Sequence, residues 1–219
     1  MNIRKICVCL LILESVGRCA SKPHTVVFGK WTTIKWLSGD DDNAKAEDLK
    51  IRALIVDGRT KEWTTGIAHD VTERTFVVQR MYRLNDSLPQ ESGSPRWQWE
   101  RGTWLLVDRV SGKTQAINLT AFDSGASSVS WFRDYAAYCG LTDDGNKSIA
   151  VVMQLGRRKP VLKKELSGFP GEKTRACIAP EWQRNPARVT FAPSGQSITY
   201  TVATRAIDLV PASDEEDDP

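Results

Sequence analysis

Residues 122–127 read Phe-Asp-Ser-Gly-Ala-Ser, and they put an acid in a setting that chemistry can use. A tight Asp-Ser-Gly turn can hold one carboxylate so that it shares a proton with a second and activates water. The motif occurs once, so a second chain would have to supply the other aspartate. Other reactions lack their parts. His24 and His69 are the chain's 2 histidines, and His69-Asp70 lies in a Gly-Ile-Ala-His-Asp-Val segment that reads as a loop. No G-x-S-x-G elbow supports a Ser-His-Asp hydrolase. The 5 cysteines form no C-x-x-C, so zinc finds no ligand set. The run Asp40–Asp42 lacks the alternating ligands and central glycine of a calcium loop, which leaves no metal site to expect. Neither a P-loop nor a dinucleotide fingerprint occurs, and no cofactor is expected.

Residues 122–127 resemble the motif of retropepsin-like aspartic peptidases, which would imply a homodimer with Asp123 as the catalytic acid. That family also carries a hydrophobic-hydrophobic-Gly element much later in the chain than the candidate here, Gln154-Leu-Gly156. A glycine-rich flap should lie between the two, and residues 132–139 (FRDYAAYC) are not one. Asp, Ser and Gly are also ordinary residues of a connection between strands. The turn reading is preferred, and no catalytic residue is assigned.

Binding is better supplied than catalysis. Trp97 and Trp99 are two apart, so on a strand both point to one face. With Trp104 they could stack sugar rings or a partner peptide, or they could bury their large area in packing between sheets. Arg157, Arg158, Lys159, Lys163 and Lys164 make a basic cluster around a hairpin. Such a cluster either guards a sheet edge against aggregation or docks an acidic partner or anionic envelope lipid.

The ends of the chain differ from its body. Arg4 and Lys5 precede an apolar run, residues 6–13, and small residues follow around Gly17 and Ala20. A basic start, a short apolar centre and a small-residue exit describe a secretory signal peptide over residues 1–20, despite Glu14 and Arg18. The run is too short to span a bilayer. Arg18 before Cys19 does not fit a lipobox, so a periplasmic or secreted address is expected over a lipoprotein. Loss of the leader would leave Cys139 and Cys177, a candidate disulfide or two buried thiols. Net charge is +3 for the whole chain. Asp214, Glu215, Glu216, Asp217 and Asp218 form an acidic block over residues 212–219 that reads as a solvating tail. A body this weakly basic gives no case for nucleic acid.

Between these ends, residues 21–211 read as a single all-β domain. Hydrophobic residues at 41% and charged residues at 26% are ordinary for a globular protein. Short β-branched and aromatic runs at 25–28, 32–36, 74–79 and 104–108 are bounded by turn residues. Residues 43–54 are the nearest approach to a helix, with Asn43 as a cap for a turn or two before a strand at 51–56. Similar segments start at Ile51, Trp104 and Ile149, spaced at roughly fifty residues, a period suited to four-stranded propeller blades. In the third unit, residues 130–132, 135–141, 148–155 and 160–166 would run from inner to outer strand.

This layout resembles the blades of TolB-type and WD-like propellers, with a Ser-Trp strand start and an Asp-Gly turn. The resemblance implies an antiparallel propeller-like fold of about four blades. A β-sandwich is the alternative that the same strands would serve. The chain as a whole also resembles exported bacterial proteins of no known activity, which implies an address and no functional residue. The expected function is therefore non-catalytic binding of another envelope or secreted protein. Carbohydrate binding is the second expectation.

Overall fold

The computed structural model describes residues 23–38, 45–88, 90, 93–124, 127–142, 147–166, 179–192 and 197–202. The leader, the acidic block, Asn43, Asp40–Asp42 and Cys177 lie outside them. The described residues form strands and turns and no helix. The first half of the chain supplies β1 (Val26–Phe28), β2 (Thr32–Ser38), β3 (Lys45–Val56), β4 (Arg59–Asp70), β5 (Thr75–Asn85), β6 (Trp97–Asp108) and β7 (Thr114–Ala116). They make one antiparallel sheet in the order β1-β3-β4-β5-β6-β7, with β2 also paired to β3. Then β8 (Ser130–Phe132), β9 (Tyr135–Leu141), β10 (Ser148–Gln154) and β11 (Leu162–Glu165) form a four-stranded meander. The last sheet is β12 (Glu181–Gln183), β13 (Arg188–Phe191) and β14 (Ile198–Thr201).

Local chemistry explains the hairpins. Asp57 and Gly58 join β3 to β4 with φ of 52° and 77°. Two positive φ values give the turn whose twist matches the strands it joins, and Asp-Gly adopts them readily. At the β6–β7 turn, Asp108 Oδ1 accepts from the Val110 and Ser111 backbone N–H groups at 2.8 and 3.1 Å. Its Oδ2 accepts from Arg74 Nη2 at 2.6 Å. The Arg74 guanidinium, with these two N–H groups, holds the Asp108 carboxyl well below the usual carboxylate range.

The middle sheet is covered on both sides. Ala136, Tyr138, Ile149, Val151 and Met153 pack toward the first sheet against Val77, Trp104 and Leu119. Their neighbours Tyr135, Ala137, Cys139, Ala150 and Val152 pack toward the third sheet against Val189, Phe191 and Val202. The two-residue period of a strand produces this division, and burial on both faces explains the unbroken apolar runs. A third cluster, Leu54, Phe76, Val78, Leu105 and Val107 with Val26 and Phe28, lies within the curl of the first sheet.

The all-β expectation is met, and the third unit forms the four-stranded meander read from the sequence. The blade count is not met. Units one and two merge into the seven-stranded sheet, and the described strands close neither a barrel nor a propeller. The first sheet curls instead. The His24 N–H donates to Val110 O at 3.1 Å, and the Arg101 guanidinium lies 4.1 Å from the Trp36 ring centroid. The turn or two of helix expected before the strand at 51–56 is also corrected, while that strand is present. Residues 45–54 belong to β3, paired from Thr32↔Ile51 to Ser38↔Lys45. Pairing of 45–51 to β2 and of 52–54 to β4 holds a backbone that isolated helical propensity could not.

Two predictions follow from this packing. Val151→Ala and Val152→Ala empty opposite faces of the same strand, and each lowers unfolding free energy by about 2 kcal/mol in urea denaturation. A much smaller loss in either would mean that face is not packed. Asp108 has a depressed folded pKa, so its stabilising contribution is whole above its unfolded value of ~3.9 and fades as pH falls through the folded one. The stability gap between wild type and Asp108→Asn is therefore flat across neutral pH and narrows in acid. A gap that widens in acid contradicts the assignment.

Candidate binding surface

The β5–β6 hairpin carries the tryptophans singled out above. Its register sets Trp97 opposite Asn85, Trp99 opposite Arg83 and Arg101 opposite Met81, while Trp63 on β4 also faces Met81. Directly paired residues share a face. Trp63 and Trp99 meet edge to face, with centroids 5.8 Å apart and planes at 74°. The Arg83 guanidinium sits 5.4 Å from the Trp97 centroid and 5.7 Å from that of Trp99. Trp97 is 53% exposed and Trp63 36%, while Trp99 is half-buried between them. The result is an aromatic patch pinned by one arginine, a pairing that cation–π attraction favours.

Further along the same strand the character changes. Burial lowers the pKa of the Arg101 guanidinium against the opposing pull of Glu47, and its Nε finds no acceptor. A bulge follows, in which Gly102 and Thr103 stand opposite Arg80 alone. A Cβ on Gly102 would come within 2.9 Å of the Tyr82 ring, so the bulge needs glycine there. Beyond it Trp104 pairs with Gln79 and turns into the core.

Trp104 does not belong to the patch. It is 9% exposed and packs edge to face on Trp131 at 5.3 Å, between the first and second sheets. Trp97 and Trp99 do share a face. Trp63 and Arg83 were missed because only the register of β4, β5 and β6 brings them beside those two.

The basic cluster lies elsewhere. Arg157, Arg158 and Lys159 are exposed in the turn after β10, where Gly156 takes φ 79°. Lys163 and Lys164 sit on β11, the outer strand of the meander, paired with Val151 and Ala150. Adjacent residues on a strand point to opposite faces, so these two lysines do not act as one patch. Arg157 and Arg158 stand beside Leu106 of β6. Leu106 is nine residues from Trp97, ~30 Å at the strand rise.

The chemistry-bearing residues weighed for catalysis have structural partners. The Asp123 carbonyl accepts from Ser127 N–H at 2.7 Å, and Ser127 Oγ donates to Cys139 O at 2.7 Å. Tyr138 Oη donates to Thr120 O at 2.7 Å, and burial raises the pKa of that phenol. Residues 119–124 and 127–129 are thus strapped across β9. His69 lies on β4 and not in a loop. Its Nε2 is 2.8 Å from Arg133 O, and its ring stacks on Trp131. Cys139 is disulfide-bonded, to a partner outside the described residues. Among the described residues no three His, Cys, Asp or Glu side chains gather as metal ligands, and no helix is long and apolar enough to cross a membrane.

No protein-family model, curated protein or solved structure matches this chain.

Surface and core tryptophans should part in a stability experiment. Trp97→Ala changes unfolding free energy by less than about 0.5 kcal/mol, as exposed substitutions do. Trp104→Ala costs about 3–5 kcal/mol through the cavity it leaves. Equal losses at the two positions would place Trp97 in the core as well.

Proposed function

We propose that this chain is an exported, non-catalytic protein-binding module, and that its contact surface is Trp63, Trp97 and Trp99 with Arg83. The half-exposed Trp97 ring beside an arginine carries the reading. Tryptophan and arginine dominate the hot spots of protein interfaces, where a few large side chains supply most of the affinity. Arg83 gives the partner a chemical mark, a carboxylate placed to reach the guanidinium while an apolar side chain covers Trp97. The basic start and apolar run of residues 1–20 support export to the periplasm or beyond. The Cys139 disulfide agrees with an oxidising compartment, and Cys177 is its proposed partner. The β8–β11 meander supports a blade-like repeat, in keeping with the resemblance to TolB-type and WD-like proteins.

Carbohydrate binding is the second reading, favoured by the exposure of Trp97 alone. A sugar platform works best with rings lying flat in one plane, and the 74° between Trp63 and Trp99 breaks that plane.

The test is a matched set of affinity captures from a native envelope extract at physiological salt. The baits are wild type, Trp97→Ala, Arg83→Ala and the Arg157→Ala/Arg158→Ala double variant. One protein should be retained by wild type and by the double variant, with Kd weakened roughly 30-fold by Trp97→Ala. Retention that ignores Trp97 and Arg83 would sink this surface. Tryptophan quenching by an oligosaccharide with no captured protein would establish the carbohydrate reading in its place.

A further inference from the structure

The first and second sheets part at one side of the molecule. Between β6–β7 and the end of β10 they leave a cleft of ≈ 310 Å³, floored by Leu106, Ile117, Leu119, Met153 and Leu155. That volume is at the small end of ligand sites, which run ~300–1,000 Å³. Among the described residues no aspartate or glutamate lines it, and Arg157 and Arg158 are part of its wall. Both arginines are exposed and neither forms an ion pair among the described residues. The turn that carries them is fixed. Leu155 N–H donates to Asp134 O at 2.8 Å, Arg157 N–H donates to Gln154 O at 3.1 Å, and Gln154 Nε2 donates to Asp134 Oδ2 at 2.8 Å.

We propose that this cleft binds a single-chain amphipathic carboxylate, a medium-length fatty acid, with its acyl chain on the apolar floor and its carboxylate between Arg157 and Arg158. An inorganic anion would leave the floor unused, and a neutral apolar ligand would leave both cations uncompensated. Only a ligand with both ends uses the whole site. A guanidinium fork matches a carboxylate in plane and in donor spacing, which favours this headgroup. The site is independent of the tryptophan patch, which lies ~30 Å along β6.

Octanoate is the probe, titrated into the full chain against octanol and acetate, with calorimetry and tryptophan emission as readouts. Trp131 lines the cleft and reports occupancy. Octanoate should saturate at one per chain, with octanol at least tenfold weaker and acetate silent. Arg157→Ala/Arg158→Ala should weaken octanoate tenfold or more and leave octanol unchanged. Ala116→Trp, on the exposed face of β7 at the cleft, should block both while the chain stays folded. Equal binding of octanoate and octanol would overturn the anion assignment. No saturable octanoate binding in the millimolar range would overturn the site itself. Sedimentation with anionic phospholipid vesicles without free octanoate binding would do the same, because it would assign the arginines to a membrane surface.

Discussion

Every side chain from Tyr135 to Cys139 and from Ile149 to Met153 is withdrawn from water, so the sheet of β8–β11 needs a cover on each of its faces. Neither β9 nor β10 can satisfy its backbone from solvent, and each is paired on both edges. The neighbouring sheets follow from that demand. The first presents Val77 and Trp104, with Leu119 from the connection after it, and the third presents Val189 and Phe191, with Val202 just beyond its last strand. Even the described parts of the connection, residues 119–124 and 127–129, are fitted to it. Gly140 lies so close to the Ala121 carbonyl that a Cβ has no room, and Tyr138 and Ser127 tie that connection down.

The same demand decides which tryptophans are free. The second sheet covers only part of the first, at the end of β6 that holds Trp104 and Leu106. The bulge at Gly102 and Thr103 adds one residue to β6, which turns Trp104 inward where strict alternation from Trp97 and Trp99 would point it the other way. The end of the hairpin beyond the bulge lies outside that cover. There Trp63, Trp97 and Trp99 stay partly in water, and Arg83 holds them with its guanidinium over two rings. An exposed indole is ordinarily a solubility burden, and a cation above it offers a compact arrangement that a partner can meet without reorganising it.

Local chemistry was legible in the sequence, and long-range pairing was not. The strand runs and all four strands of the meander could be read because each depends on neighbours a few residues away. Merging of the first two units depends on β3, β4, β5 and β6 sharing one register, which no repeat spacing encodes. Residues 45–54 looked helical because Ala, Glu, Leu and Lys favour helices in isolation, and the edges of β2 and β4 overrode that weak preference. Trp97 and Trp99 were found by their spacing of two. Trp104 falls outside the patch because the second sheet covers its end of β6, a contact that no spacing shows, and Arg83 was missed because its partner lies across the hairpin.

The basic cluster shows how one sequence feature can divide between two physical roles. Lys163 and Lys164 lie on the outer strand, where charge keeps an open edge from pairing with another chain. Glu165, next to them, is held by Lys147 at 2.8 Å, so the edge is charged along its length and in both signs. Arg157 and Arg158 lie in a turn that Asp134 anchors, beside an apolar cleft with no acid in its walls among the described residues. A guard against aggregation needs only charge and exposure, and lysine supplies both. Exposed arginines on a hydrogen-bonded turn beside an apolar floor are more than that role requires. The proposed recognition rests on the turn and not on the strand.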